Sequence, residues 1–373
     1  LLADGTEIEF PDYTNFDGLR AWPVVEIKNT AFRDIWFTGD FVMNNLEGAN
    51  DYEFFHSIFD GIFEGIKIKS IGSDAFSSSD FSGELALPAC TFIDEYAFYN
   101  SDFSGELALP SCTFIGFAAF NNSNFSGELN LPACTYIGDG AFVNSNFSGE
   151  LSLPSCTYIG SYAFSNSNFS GELSLPLCTS IGEYAFYSSN FSGELALPSC
   201  TFIGFAAFNN SNFSGELNLP ACTYIGDGAF VNSNFSGELS LPSCTYIGSY
   251  AFSNSNFSGE LALPACTFID EYAFYSSNFS GALSLPVCVE IRDLAFQNSI
   301  FSGSLSLPVC TSIGSAAFAN SNFTQITIGA NAVLGSNCIG AHSTEFIRDY
   351  EDNGKLAGTY VWDGATQHWI YQT

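Results

Sequence analysis

The chain has 373 residues, 46% hydrophobic and only 13% charged, with 40 Phe, 34 Gly and a single Met. Its 39 acidic and 8 basic residues leave a net charge of −31, which excludes the clustered Lys and Arg that a nucleic-acid backbone or an anionic membrane surface requires. No apolar run approaches the roughly 18 residues of a membrane-spanning helix, while the apolar fraction is ample for a core. The start, Leu1-Leu2-Ala3-Asp4, reads as that of a trimmed or mature chain whose signal or anchor lies outside it.

In chain order, residues 1–80 read as degenerate repeats forming an N-terminal cap. Phe16-Asp17-Gly18-Leu19, Trp22-Pro23, Ile27 and Ala31-Phe32 loosely echo a module that later becomes regular, and Ile71-Gly72 with Ala75-Phe76 forms a shortened copy. From Phe81 the phrase Phe-Ser-Gly returns every 22 residues as far as Phe301, so residues 81–322 are eleven units of F-S-G-E-L-x-L-P-x-C-T-x-I-G-x-x-A-F-x-N-S-N. Within the first unit, Glu84-Leu85-Ala86-Leu87 alternates as a short strand does, with both leucines inward. Pro88 lacks an N–H and ends that strand. Ile93, Ala97 and Phe98 supply an apolar stripe, predicted as a short helical or 3-10 turn on the opposite side. Asn100-Ser101-Asp102 turns the chain back.

One such unit cannot bury its own Phe, Leu and Ile side chains, but stacked units can, around a continuous core. The expected fold is therefore a solenoid with a parallel β-sheet on one face and short helical or 3-10 turns on the other. Residues 323–373 are expected to close its C-terminal end, with Trp362 and Trp369 as lids. Residues 103–168 and 191–256 are identical, four periods apart, which points to block duplication.

The strand L-x-L-P followed by C-x-x-I-G-x-x-A-F, as in Leu153-Pro154, Ile159-Gly160 and Ala163-Phe164, resembles the BspA-like (Treponema-type) leucine-rich repeats of bacterial surface proteins. Ile326-Thr327-Ile328-Gly329-Ala330-Asn331 and Asn353-Gly354-Lys355-Leu356-Ala357-Gly358-Thr359-Tyr360 are similar to tails of such proteins. The resemblance implies a leucine-rich repeat solenoid, a right-handed α/β-type coil. It also implies a secreted or cell-surface location and a role in adhesion or partner binding. Many members carry an aliphatic residue where this chain has Cys, and a unit one residue longer.

Two columns are candidate ligand-binding surfaces. Glu84, Glu106, Glu128, Glu150, Glu172, Glu194, Glu216, Glu238 and Glu260 share one outward strand position. The row is either a solvated face copied with the module or a stripe for cations or a basic ligand. Carboxylates about 4.8 Å apart repel by roughly 1 kcal/mol per pair in water, which a cationic partner would relieve. Tyr96, Tyr162, Tyr184, Tyr250 and Tyr272 form the second column, which varies between units as a recognition surface does. A further aromatic column, from Phe92 to Phe268, is expected to pack between coils.

Eleven of the twelve Cys fall one per unit without paired metal-ligand spacing, so a ladder of buried reduced thiols is expected and no metal. Asn-x-Ser triplets such as Asn146-Phe147-Ser148 are glycosylation acceptors in a eukaryotic secretory route, or turn chemistry copied with the unit. A uniform Glu row offers no two distinct environments to split acid from base, and no nucleophile motif or phosphate loop accompanies the three His. The chain therefore reads as no enzyme, with no cofactor. It reads as an extracellular adhesion protein presenting an acidic repeat surface to a protein or glycan ligand, a basic one among the candidates, and not to nucleic acid. The alternative is a structural spacer or surface-layer element without a specific ligand.

Overall fold

The computed structural model describes residues 15–17, 32–38, 41–42, 46–103, 107–125 and 129–372. Packing divides the chain into two compact units, Leu1–Ser192 and Gly193–Thr373. Each is a stack of parallel coils, a leucine-rich repeat solenoid.

In the first unit a continuous ladder joins Gly48–Ala49, Ser70–Ile71, Phe92–Ile93, Phe114–Ile115, Tyr136–Ile137, Tyr158–Ile159 and Ser180–Ile181, each paired in parallel with the residue 22 further on. A second set of strands carries the leucines, as where Leu85–Ala86 pairs with Leu107–Ala108 and Leu129–Asn130 with Leu151–Ser152. A third pairs Trp36–Thr38 with Ile58–Asp60, then with Asp80–Phe81 and Asp102–Phe103. The 22-residue register thus already holds from Trp36, well before the sequence becomes regular. The remaining N-terminal positions singled out in the sequence, among them Phe32's upstream neighbours Trp22, Pro23 and Ile27, lie outside the described residues.

In the second unit the leucine strand begins earlier than the sequence suggests. It starts at the Asn before the Phe-Ser-Gly phrase and runs for seven residues in Asn212–Asn218, Asn234–Ser240 and Asn256–Ala262. Gly237 and Gly259, at φ 85° and 81°, let the strand bulge there, and the pairing shifts register between Gly237 and Leu239.

The core is the apolar column set. In the coil from Phe235 to Asn256, Phe235, Leu239, Leu241, Cys244, Ile247, Ala251 and Phe252 are each at most 1% exposed. Phe230 and Phe252 stack with ring centroids 5.2 Å apart, and Phe252 and Phe274 do the same at 5.2 Å. This is close to the rise between strands of a sheet, so one ring per coil fills the axis without gaps. A second Phe column crosses the first edge to face, as at Phe252 and Phe257, 5.7 Å and 81°, the arrangement that ring quadrupoles favour.

The opposite side carries reverse turns, not the helical or 3-10 turns expected from the Ile93, Ala97 and Phe98 stripe. The N–H groups of Tyr162, Phe164 and Asn166 donate to Glu183, Ala185 and Tyr187 of the next coil at 2.7, 2.8 and 2.9 Å. Those of Ser165 and Ser167 close turns onto Tyr162 and Phe164. Because every second donor leaves for the neighbouring coil, the i→i−4 ladder of a helix cannot form. Left-handed residues at Tyr162 (φ 59°) and Asn166 (φ 54°) bend the chain accordingly.

The serine of the Asn-Ser-Asn turn is also buried: Ser167 is 1% exposed and its hydroxyl donates to Phe164 O at 2.6 Å. All twelve cysteines are buried as thiols outside any disulfide, and Cys244 Sγ donates to Tyr246 O at 3.2 Å.

Past the last coil, the helix Ser343–Asp352 buries Phe346 and Tyr350, and Gly358–Asp363 with His368–Gln372 adds an antiparallel hairpin onto Asn322–Ile328. The Tyr350 hydroxyl donates to Gly329 O at 2.7 Å and accepts from Ala332 N at 2.9 Å. Trp369 is buried at 3% exposure with its indole N–H on His342 O, whereas Trp362 is half-buried and stacks on the His342 ring at 3.8 Å.

Candidate functional site

The described members of the Glu row are Glu84, Glu150 and Glu172 in the first unit and Glu194, Glu216, Glu238 and Glu260 in the second, and all are exposed. Glu106 and Glu128 lie outside the described residues. Strand alternation explains the exposure, since the flanking Leu151 and Leu239 point inward at 4% and 1%. The row is also oriented. A Cβ placed on Gly171 would lie 3.4 Å from Glu150 Cγ, and one on Gly237 would lie 3.5 Å from Glu216 Cγ. The stems of Glu150, Glu194, Glu216 and Glu238 therefore rest against the glycine of the following coil, leaving the carboxylates in solvent, whereas Gly281, one coil past Glu260, has nothing within 4 Å of where its Cβ would lie.

The tyrosine column forms clusters. Tyr162 and Tyr184 stack at 4.8 Å, and Tyr187 meets Tyr184 edge-on at 5.6 Å. In the second unit Tyr250 and Tyr272 stack at 4.6 Å, with Tyr275 edge-on at 5.6 Å. Tyr96 stands between Tyr99 at 5.6 Å and Phe117 at 5.2 Å, both edge-on. All five column members are left-handed, at φ 54° to 59°. Tyr162 and Tyr250 are 46% and 45% exposed. Tyr96, Tyr184 and Tyr272 are half-buried. The partners Tyr99, Phe117, Tyr187 and Tyr275 escaped the sequence reading, although their spacing of three from the column, or of 21 across coils, was there to be read.

The other aromatic column lines the surface edge of the continuous ladder and is not core. Phe92, Phe114, Tyr136 and Tyr158 stack in series at 4.7, 4.8 and 4.9 Å. In the second unit Phe202, Tyr224, Tyr246 and Phe268 stack at 5.0, 4.8 and 5.3 Å. That second stack ends on Arg292, whose guanidinium lies 4.8 Å from the Phe268 centroid and bonds Asp270 Oδ1 at 3.2 Å and Glu290 Oε1 at 3.0 Å. Tyr246 donates to Asp270 Oδ2 at 3.2 Å, and burial, with Asp270 and Asp227 nearby, pushes its hydroxyl up to about 12.

Burial likewise pushes the thiols up, to about 11 at Cys90 and about 12 at Cys244, so they behave as small apolar groups. Among the described residues no three His, Cys, Asp or Glu converge as metal ligands, and no helix is long and apolar enough to cross a membrane. The arrangement offers ordered, solvent-facing carboxylates and aromatic rings on a rigid stack, a set suited to holding another molecule by contact.

These features define a repeat scaffold built from stacked leucine-rich coils. The sequence profile of the BspA type leucine rich repeat region matches residues 21–126, 48–170, 91–214, 135–258 and 223–344, most of the chain, and the chain belongs to that family. Among solved structures, a leucine-rich repeat protein from Bacteroides ovatus is similar at 15% identity, over 90% of this chain and 87% of that one, with a TM-score of 0.46. One from Eubacterium ventriosum is similar at 14% identity over 83% and 82%, with a TM-score of 0.32. A TDR receptor is similar at 17% identity with a TM-score of 0.40; the match covers 84% of this chain and 63% of the receptor chain. No curated protein matches the sequence.

Proposed function

We propose that this protein is an extracellular or cell-surface binding protein whose acidic repeat surface engages a protein or glycan ligand, and that it is not an enzyme. The observation that carries this reading is the exposure of two ordered side-chain columns on an otherwise closed stack. Glu150 and Glu172 in the first unit and Glu216 and Glu238 in the second face solvent, and so do the rings of Tyr162 in the first and Tyr250 in the second. The coils already fix the backbone that carries these columns. A ligand meeting them forgoes little side-chain entropy on their account. Family membership supports the same reading.

The identity of residues 103–168 with 191–256 favours a second reading, a stiff spacer without a ligand, since recognition usually demands differences between repeats. A binding screen against extracellular-matrix proteins and a glycan array separates the two. The expected result is at least one partner, held more weakly as salt rises. The variant Glu150→Gln, Glu172→Gln, Glu194→Gln, Glu216→Gln is then expected to weaken it. A screen in which nothing binds leaves the spacer.

A further inference from the structure

We propose that each unit carries a slot for a cationic side chain of a protein partner, arginine above all, formed by Tyr162, Gly140 and Asp139 in the first unit and by Tyr250, Gly228 and Asp227 in the second. This rests on the reading above that the chain binds a partner, and gives that partner a chemistry.

The slot begins as an empty rung. Tyr184 covers one face of the Tyr162 ring, 4.8 Å away and 19° from parallel. The other face turns toward the preceding coil, where the residue in register is Gly140 at φ 62°. A Cβ placed there would meet nothing nearer than Asn121 Nδ2 and Val143 Cγ2, both at 3.7 Å. The rung that carries a tyrosine in the next two coils thus carries no side chain at all in this one.

Asp139 immediately precedes that glycine. It is exposed, and Ser161 N, one residue before Tyr162, holds its Oδ1 at 2.8 Å. Its charge is also felt on the other side, where it adds to burial in raising the Tyr158 hydroxyl. The carboxylate is therefore held at the backbone one residue before Tyr162, close enough to Tyr158 to act on its hydroxyl.

The second unit repeats the arrangement. Tyr272 covers one face of Tyr250 at 4.6 Å and 6°, and the rung on the other side is the buried Gly228 at φ 63°, which carries no side chain and has Val231 Cγ2 and Asn209 Nδ2 3.6 and 3.8 Å from where its Cβ would lie. Ser249 N holds Asp227 Oδ1 at 3.0 Å.

The occupant follows from what the chain does with its own cations. Arg292 lies 4.8 Å over Phe268, bonded to Asp270, and Arg33 lies 4.8 Å over Phe55, with Asp34 at 3.5 Å. That distance is one coil rise, so a guanidinium occupying the Gly140 rung would stand over Tyr162 as Arg292 stands over Phe268. A planar guanidinium stacks on a ring and donates to a carboxylate at once, which a neutral sugar cannot match and a compact ammonium matches less well. Charge complementarity points the same way: residues 81–322 contain 19 acidic residues and one basic residue, Arg292.

The test uses a fluorescein-labelled Gly-Arg-Gly-Arg-Gly peptide and its lysine and citrulline counterparts, followed by anisotropy with the full chain at about 0.15 M salt. Arginine is expected to bind best and citrulline at least fivefold worse. The double variant Tyr162→Leu, Tyr250→Leu keeps the net charge, yet is expected to lower arginine-peptide affinity about fivefold. Leu294 already occupies the same left-handed position at φ 61°, so the change is accommodated, and a thermal melt checks this. Asp139→Asn with Asp227→Asn retains an acceptor for Ser161 and Ser249 and is expected to reduce the preference for arginine over citrulline.

Equal binding of the arginine and citrulline peptides, or unchanged arginine binding by the tyrosine variant, overturns the slot. A partner captured in the binding screen that still binds the tyrosine variant fully also overturns it, while leaving the binding function intact. Tyrosine-dependent arginine binding with no partner in the screen supports the slot and counts against only the ligand classes screened.

Discussion

Glu53 stands where later coils carry alanine, at the position of Ala75 and Ala97, and it is fully buried. Asn50 Nδ2 donates to its Oε1, and among the described residues Oε2 has no partner. Burial pushes the carboxyl from its ordinary 4.5 up to about 7. The native state therefore keeps a proton that the unfolded chain releases across that window. Stability is undiminished by this group below about pH 4.5, falls as pH rises toward about 7, and is flat beyond. At about 1.4 kcal/mol per pH unit, the gap between 4.5 and 7 amounts to about 3 kcal/mol.

Glu53→Gln removes the ionisation while keeping the shape and the oxygen that Asn50 contacts. Urea unfolding of both proteins at steps from about pH 4.5 to about pH 8 gives the difference in stability at each pH, in which the other carboxylates cancel. The difference is expected to move by about 3 kcal/mol in favour of the Gln variant across the series. A difference that stays flat refutes the reasoning, and would mean that the carboxylate is solvated or paired at neutral pH.

Two further outcomes follow from the core. In the native state at about pH 8 the twelve thiols, all buried and none in a disulfide, are expected to resist alkylation, and all twelve to react once the chain is denatured, as counted by mass spectrometry. Phe230→Ala removes a ring stacked between Phe208 at 5.3 Å and Phe252 at 5.2 Å and is expected to cost about 3–5 kcal/mol in urea unfolding; Ser240→Ala, on the exposed strand face, is expected to change stability by less than about 0.5 kcal/mol.

The sequence by itself determined the coil and its core. A 22-residue period with Leu, Leu, Cys, Ile, Ala and Phe at fixed places leaves one way to bury them, because no single unit can, and those columns are buried as read. The strand Glu alternates outward for the same reason. The buried thiols were legible too, since one Cys per unit without paired spacing fits a small apolar column better than a metal site.

Tertiary structure decided what the turns do. Tyr162, Ala206 and Leu294 have no local preference for positive φ, yet all three adopt it. The hydrogen bonds each coil makes to the next impose that conformation, and a single unit read alone has no next coil. The same pairing replaced the expected helical turns and drew Ser167 into the core. It also set the strand start upstream of Glu in the second unit. Only stacking puts Gly140 in register with Tyr162 and holds the Asp139 carboxylate on the Ser161 N–H. In the sequence these three residues are spread over 24 positions and read as unremarkable turn residues. The register of neighbouring coils makes them one site, because a side chain's neighbours in a solenoid are those one period away and not those next along the chain.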